Sequence, residues 1–115
     1  MRANIDRMVE MGAKAIVLKG ITHGDGIIRN YIGGADMEVC EVSGEHLPYT
    51  LHGTGDLYCS ALLAAIMCGR SLLEAVEFAG SFVLDAISIT IEQPDFATRG
   101  VSFETKLGKV AALLA

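Results

Sequence analysis

Leu51-His52-Gly53-Thr54-Gly55-Asp56-Leu57-Tyr58-Cys59-Ser60-Ala61-Leu62-Leu63-Ala64-Ala65 sets a glycine-flanked turn directly against a strongly apolar run. Leu57, Ala61, Leu62, Ala64, Ala65 and Met67 form a broad apolar face that Gly69 closes, which predicts a helix from Thr54 onward. The first N–H groups of a helix have no partner inside it, and with the helix dipole they suit an anion such as a phosphate. Gly53 and Gly55 allow the backbone to come close to such a ligand. Thr54 is placed to cap the helix. Asp56 falls in the first turn, where it could accept a proton from a substrate hydroxyl beside a transferring phosphate. Ordinary helix-start chemistry also puts Thr and Asp at these positions. The segment is neither the Walker pattern nor a three-glycine dinucleotide loop.

Downstream, Ser71-Leu72-Leu73-Glu74 is a capping box that opens a second helix, with Leu72, Ala75, Val76, Ala79, Val83, Ala86 and Ile87 on its buried face. This helix is expected to run to about Gln93 and to stop at Pro94. Gly100-Val101-Ser102-Phe103 then leads to a last helical stretch from Leu107 to Leu114. Upstream, Ile5, Met8, Val9 and Met11 have helical spacing before Gly12, and Ala15-Ile16-Val17-Leu18 reads as a buried parallel strand. Helix then strand is half of a βαβ repeat. Gly20 to Gly26 is a loop. Ile27 to Ile32 and Met37 to Val42 read as an antiparallel hairpin turning at Gly33-Gly34, and Ser43 to Leu51 as a polar connector.

The 115 residues allow one compact unit, and at 51% apolar with net charge −5 the composition excludes a disordered chain. An acidic chain without basic clusters or Trp does not suit nucleic acid. Cys40, Cys59 and Cys68 form no CxxC pair, which points to a reducing, cytoplasmic setting. Met1 to Glu10 is no signal peptide, and Ala61 to Cys68 is far short of the roughly 20 residues that span a bilayer, so no membrane partner is expected. His23, His46 and His52 lack metal-ligand spacing, and no metal-binding residue is named. Cys59 and Ser60 lack the elbow that would make either a nucleophile.

The run from Leu51 to Ala65 resembles the Gly-Thr-Gly-Asp segment of ribokinase-like kinases, and within them the pyridoxal kinases. Gly69 to Val76 resembles that family's following turn and helix, and Gly100 to Glu104 its closing segment. The resemblance implies an α/β fold: the carboxyl-terminal part of a three-layer α/β/α, Rossmann-like kinase domain carrying a β-hairpin, with residues 1–115 as one portion of that domain. It implies ATP-dependent phosphorylation of the primary hydroxyl of pyridoxal, pyridoxine or pyridoxamine, with Asp56 as base and Gly53, Thr54 and Gly55 as the anion hole. Lys19 and Gly20, with Met37, Val39 and Val42 of the later strand, correspond to positions lining the nucleotide, although Lys19 stands where relatives often have Thr or Ser. ATP and Mg2+ are the implied cofactors, K+ an optional further ion, and the full-length protein an implied homodimer.

Hydroxymethylpyrimidine kinases are similar through His-Gly-Thr-Gly but commonly carry Cys next, so Asp56 favours a vitamin B6 acceptor. Sugar kinases usually show Gly-Ala-Gly-Asp, and Thr54 argues against them. A non-catalytic nucleotide-binding fragment is the alternative from another class. The family's chain is more than twice as long, and its amino-terminal half carries most groups that grip the vitamin and manage the metal. The chain alone is therefore expected to be inactive, and to associate with itself or with the missing half.

Overall fold

A computed structural model describes residues 2–49, 51–94 and 100–114, and Thr50 of the predicted connector lies outside them. The chain divides into two compact units, Met1–His46 and Leu47–Ala115.

In the first unit, α1 (Arg2–Glu10) precedes β1 (Ala15–Thr22), β2 (Ile27–Gly34) and β3 (Met37–Glu45). The strands form one sheet in the order β1-β2-β3, antiparallel throughout. The expected parallel, fully buried β1 is corrected: only Ile16 of this strand is buried, and the strand pairs antiparallel with β2. The few residues between the two strands permit a hairpin return but no crossover. Strand β1 also runs past the predicted end at Leu18, because a bulge between Leu18 and Ile21 absorbs Lys19 and Gly20. Gly20 takes a left-handed φ of 76° there, and its N–H donates to the buried Asn30 Oδ1 at 3.0 Å.

The turn of the second hairpin is Ala35-Asp36 rather than Gly33-Gly34. Both glycines belong to β2, and close approach explains them. A Cβ on Gly33 would lie 2.9 Å from two Ile5 carbons, and one on Gly34 would lie 2.6 Å from the Lys14 carbonyl oxygen. Ile5 of α1 is thus buried over a glycine, while Met8 and Met11 of the predicted apolar face are exposed. Strand β3 extends through Ser43 to Glu45, residues expected in the connector. Arg29 of β2 holds Asp25 of the β1–β2 turn through two hydrogen bonds (3.2 and 2.6 Å) and lies 3.4 Å from Glu41 on β3. The guanidinium pulls the exposed Asp25 carboxyl down to about 2.

The second unit pairs α2 (Thr54–Met67) with α3 (Leu72–Thr90), followed by a 3-10 turn (Glu104–Lys106), α4 (Leu107–Ala111) and a further 3-10 turn (Ala112–Leu114). Helix α2 ends in a Schellman arrangement: Gly69 at φ 85° donates to Ile66, and Arg70 donates to Ala65. Helix α3 begins with the predicted capping box, Glu74 N–H to Ser71 Oγ at 3.1 Å and Ser71 N–H to Glu74 Oε1 at 3.2 Å. Its helical hydrogen bonding finishes before Pro94 is reached, and Phe82 and Thr90 join Ala75, Val76, Ala79 and Ala86 on the buried face. Tyr58 and Ala61 of α2 pack with Ala79 and Phe82 of α3 to make the core, and Phe78 stacks on Phe82 with centroids 5.8 Å apart. Lys109 of α4 pairs with Asp85 of α3. No helix among the described residues is long and apolar enough to cross a membrane.

Candidate active site

Glycine at position 53 sets the geometry of the helix start. Gly53 is the N-cap of α2 and adopts φ 89°, a left-handed conformation that a side chain would strain. Thr54 is therefore the first residue inside the helix, and the expectation that it caps the helix is corrected. Its hydroxyl turns back and donates to the Leu51 carbonyl at 3.2 Å, and no side chain caps α2. The first helical bond runs from Leu57 N–H to the Gly53 carbonyl at 2.9 Å. The N–H groups of Thr54, Gly55 and Asp56 precede that bond, at the positive end of a 14-residue helix.

Asp56 is exposed in the first turn of α2, and from it an open groove of about 600 Å3 runs along the helix. Gly53, Asp56, Leu57, Ser60, Ala61 and Ala64 line one wall, spaced three and four apart as one helix face requires. Opposite them stand Val101, Phe103, Leu107 and Val110. The groove is polar at the helix start, where His52 and Asp56 lie, and largely apolar beyond. A ligand with a charged end and a flat apolar body matches that arrangement.

The far wall is built by hydrogen bonds to the turn and to α3. Val101 N–H donates to the His52 carbonyl at 3.0 Å, and Gly100, at φ 77°, brings its Cα close to the same carbonyl. Ser102 N–H donates to the buried Thr90 Oγ1 at 2.8 Å. His52 thus shapes the loop through its backbone carbonyl. The sequence reading did not assign Val101, Phe103 or the stripe at Ser60, Ala61 and Ala64 to the site. Counting on from Gly53 at intervals of three and four residues reaches the stripe.

The remaining predicted nucleotide positions lie in the first unit. Lys19 and Gly20 form the β1 bulge beside Asn30, and Val42 is paired with Asn30 across β2 and β3. Met37 pairs with Gly34 at one end of the sheet, away from the bulge, and Val39 lies against Gly33. The sheet therefore gathers Lys19, Gly20 and Val42 around Asn30, near its middle, and places Met37 and Val39 toward the β2–β3 turn. Among the described residues no group of three His, Cys, Asp or Glu side chains could hold a metal ion.

Residues 1–99 match the profile of the phosphomethylpyrimidine kinase family. The chain belongs to that family. No curated protein matches it. Among solved structures, it is similar to a candidate phosphomethylpyrimidine kinase from Bacteroides thetaiotaomicron VPI-5482 in a rhombohedral crystal form. That match has a TM-score of 0.87 and 21% identity, over 96% of this chain and 38% of that one. An orthorhombic form of the same protein, with pyridoxal, matches at TM-score 0.82 and 21% identity, over 97% and 39%. Pyridoxal kinase from Lactobacillus plantarum matches at TM-score 0.75 and 21% identity, over 86% and 36%. The fold is thus that of part of a ribokinase-like kinase, and the chain spans well under half the length of these structures.

Proposed function

We propose that the turn from His52 to Asp56 is the phosphoryl-transfer corner of an ATP-dependent kinase acting on the primary hydroxyl of a B6 vitamer. Asp56 is the base and the amides of Thr54 and Gly55 with Gly53 form the anion hole. The observation that carries this reading is the coincidence of uncapped α2 amides, the Asp56 carboxylate and the mouth of an apolar groove. Phosphoryl transfer is chiefly positioning and charge stabilisation, so these parts suit it. Asp56 takes the hydroxyl proton as the acceptor oxygen bonds to the terminal phosphorus of ATP, and the bond to the ADP oxygen breaks. The amides hold the transferring group, and the apolar walls beyond it take the body of the acceptor. Lys19, Gly20, Met37, Val39 and Val42 are retained as further nucleotide contacts, those around the bulge first.

Mg2+ in such sites is usually held by phosphates and one or two carboxylates; Asp56 serves as base, and the resemblance places the carboxylates that manage the metal in the family's amino-terminal half. When bound, it would neutralise phosphate charge. The same proposal takes residues 1–115 as the carboxyl-terminal portion of one kinase domain, dimeric when complete and active in the cytoplasm. In support, almost the whole chain superposes on little more than a third of a kinase.

In an enzyme assembled from this chain and the remainder of a family domain, Asp56→Asn should lower kcat by about 10²–10⁴-fold, as loss of a general base does. Binding of ATP should persist. Unchanged turnover in that variant would remove Asp56 from the mechanism. Hydroxymethylpyrimidine is the second reading, favoured by the family that the chain matches. Competition between it and pyridoxal in the same assay decides between them, and Asp56→Cys should move the preference toward hydroxymethylpyrimidine if this position sets it.

A further inference from the structure

We infer that Thr90, at the end of α3 and outside every motif that suggested the function, is a positioning residue that sets the far wall of the groove. The inference rests on the groove being the ligand site proposed above. Thr90 is fully buried, and its hydroxyl donates to the Ala86 carbonyl at 2.7 Å, accepts from Ser102 N–H at 2.8 Å and lies 3.5 Å from the Ser102 carbonyl. The first bond belongs to the helix. The second reaches out of it and ties down the segment that carries Val101 and Phe103.

The same short segment is held once more, from the opposite side. Val101 N–H donates to the His52 carbonyl, one residue before the N-cap of α2. Successive amides at 101 and 102 are therefore shared between the phosphate turn and α3. Gly100 at φ 77° makes the alternation feasible, since a Cβ there would stand 3.2 Å from the His52 oxygen. Val101 in turn lies beside Gly53, its Cγ1 3.6 Å from where a Cβ at that position would stand. A shift of Ser102 away from Thr90 would thus be felt at Val101, His52 and Gly53 together. Thr90 is the fully buried tie on this segment, beside Val101 N–H to the His52 carbonyl and Ser102 Oγ to Gln93 Oε1 at 3.3 Å, and the width of the groove follows from where it holds Ser102.

Threonine supplies something neither of its neighbours in shape can. Valine keeps the volume and loses both hydrogen bonds, leaving the Ser102 amide without its acceptor. Serine keeps the hydroxyl and loses a methyl group. A purely structural role follows total stability, whereas a positioning role follows the hydroxyl.

The test uses the 115-residue chain titrated with Mg2+ and a non-hydrolysable ATP analogue, with backbone amide signals and hydrogen exchange as readouts. In wild type, the analogue should shift the amides of residues 53–56 and 101–103. Thr90→Val should expose the Ser102 amide to exchange and weaken binding about tenfold, the equivalent of one lost hydrogen bond with its desolvation. Thr90→Ser should keep Ser102 protection and wild-type affinity even where its melting temperature is the lower of the two. Unchanged affinity in Thr90→Val, or equal losses in both variants, overturns the role of Thr90 and leaves the site reading standing. Absence of any shift at residues 53–56 in wild type overturns the site reading, and the inference with it.

Discussion

Tyr58 shows how an individual side chain records the packing of α2 on α3. Burial, with a smaller contribution from Cys59, pushes its phenol up to about 12 from an ordinary value near 10. A raised folded value favours the neutral form, so its contribution to stability is fully present below the unfolded value near 10. It is lost as pH rises toward about 12. Ultraviolet titration of phenolate should show a component ionising toward about 12, and Tyr58→Phe should remove that late component. Denaturation midpoints should fall more steeply through this alkaline window in wild type than in Tyr58→Phe. A late component that survives the substitution would contradict the assignment. Tyr31 is also displaced upward, by burial and then by its hydrogen bond to Glu41, and serves as the internal comparison. Burial of this kind is not legible in sequence. Tyr58 stands in an apolar run beside exposed Cys59 and Ser60, and only the direction of the helix face separates them.

Helix starts and stops were the most legible elements, because each depends on chemistry within a few residues. The capping box at Ser71 and Glu74, and Gly69 after α2, do what their residue types suggest. The α2 start was half legible. Thr54 looks like a cap by composition, yet Gly53 takes the cap position by entering the left-handed region, which only backbone geometry shows. That conformation leads to a direct prediction for this element. Gly53→Ala must hold an alanine at φ 89° with its Cβ 3.6 Å from Val101, so the cost is backbone strain rather than a clash. The variant should lose about 1–2 kcal/mol in urea denaturation, the usual penalty of a left-handed non-glycine residue. It should also weaken phosphate-analogue binding, because the amides that follow share the turn. Stability equal to wild type would mean that the turn relaxes to another conformation. Strand elements were less legible for a related reason. The glycines at 33 and 34 looked like a turn, but they serve the close approach of Ile5 and Lys14, partners distant in sequence. Likewise nothing local in Lys19-Gly20 announces a bulge; it depends on the Asn30 side chain in the next strand.

At the scale of the molecule, the family reading and the chain's own inventory lead to different expectations for binding and for turnover. The match to kinase structures covers 86–97% of this chain but only 36–39% of theirs. The groove and the α2 amides lie wholly within the second unit, so on the function proposed above the groups that would hold a phosphate-bearing ligand fall in these residues. Turnover asks for more: donor, acceptor and metal fixed together within a fraction of an ångström. The described residues offer a single carboxylate at the groove mouth and no cluster of three metal-ligating side chains. The 115-residue chain should therefore bind a nucleotide measurably and transfer no phosphate to pyridoxal. A coupled assay for ADP, run beside calorimetric titration with the non-hydrolysable analogue, separates the two quantities. Binding without ADP release is the expected result. Turnover at the rate of a complete kinase would show that these residues suffice for catalysis, and would place the acceptor and metal contacts among side chains to which no such role is given above.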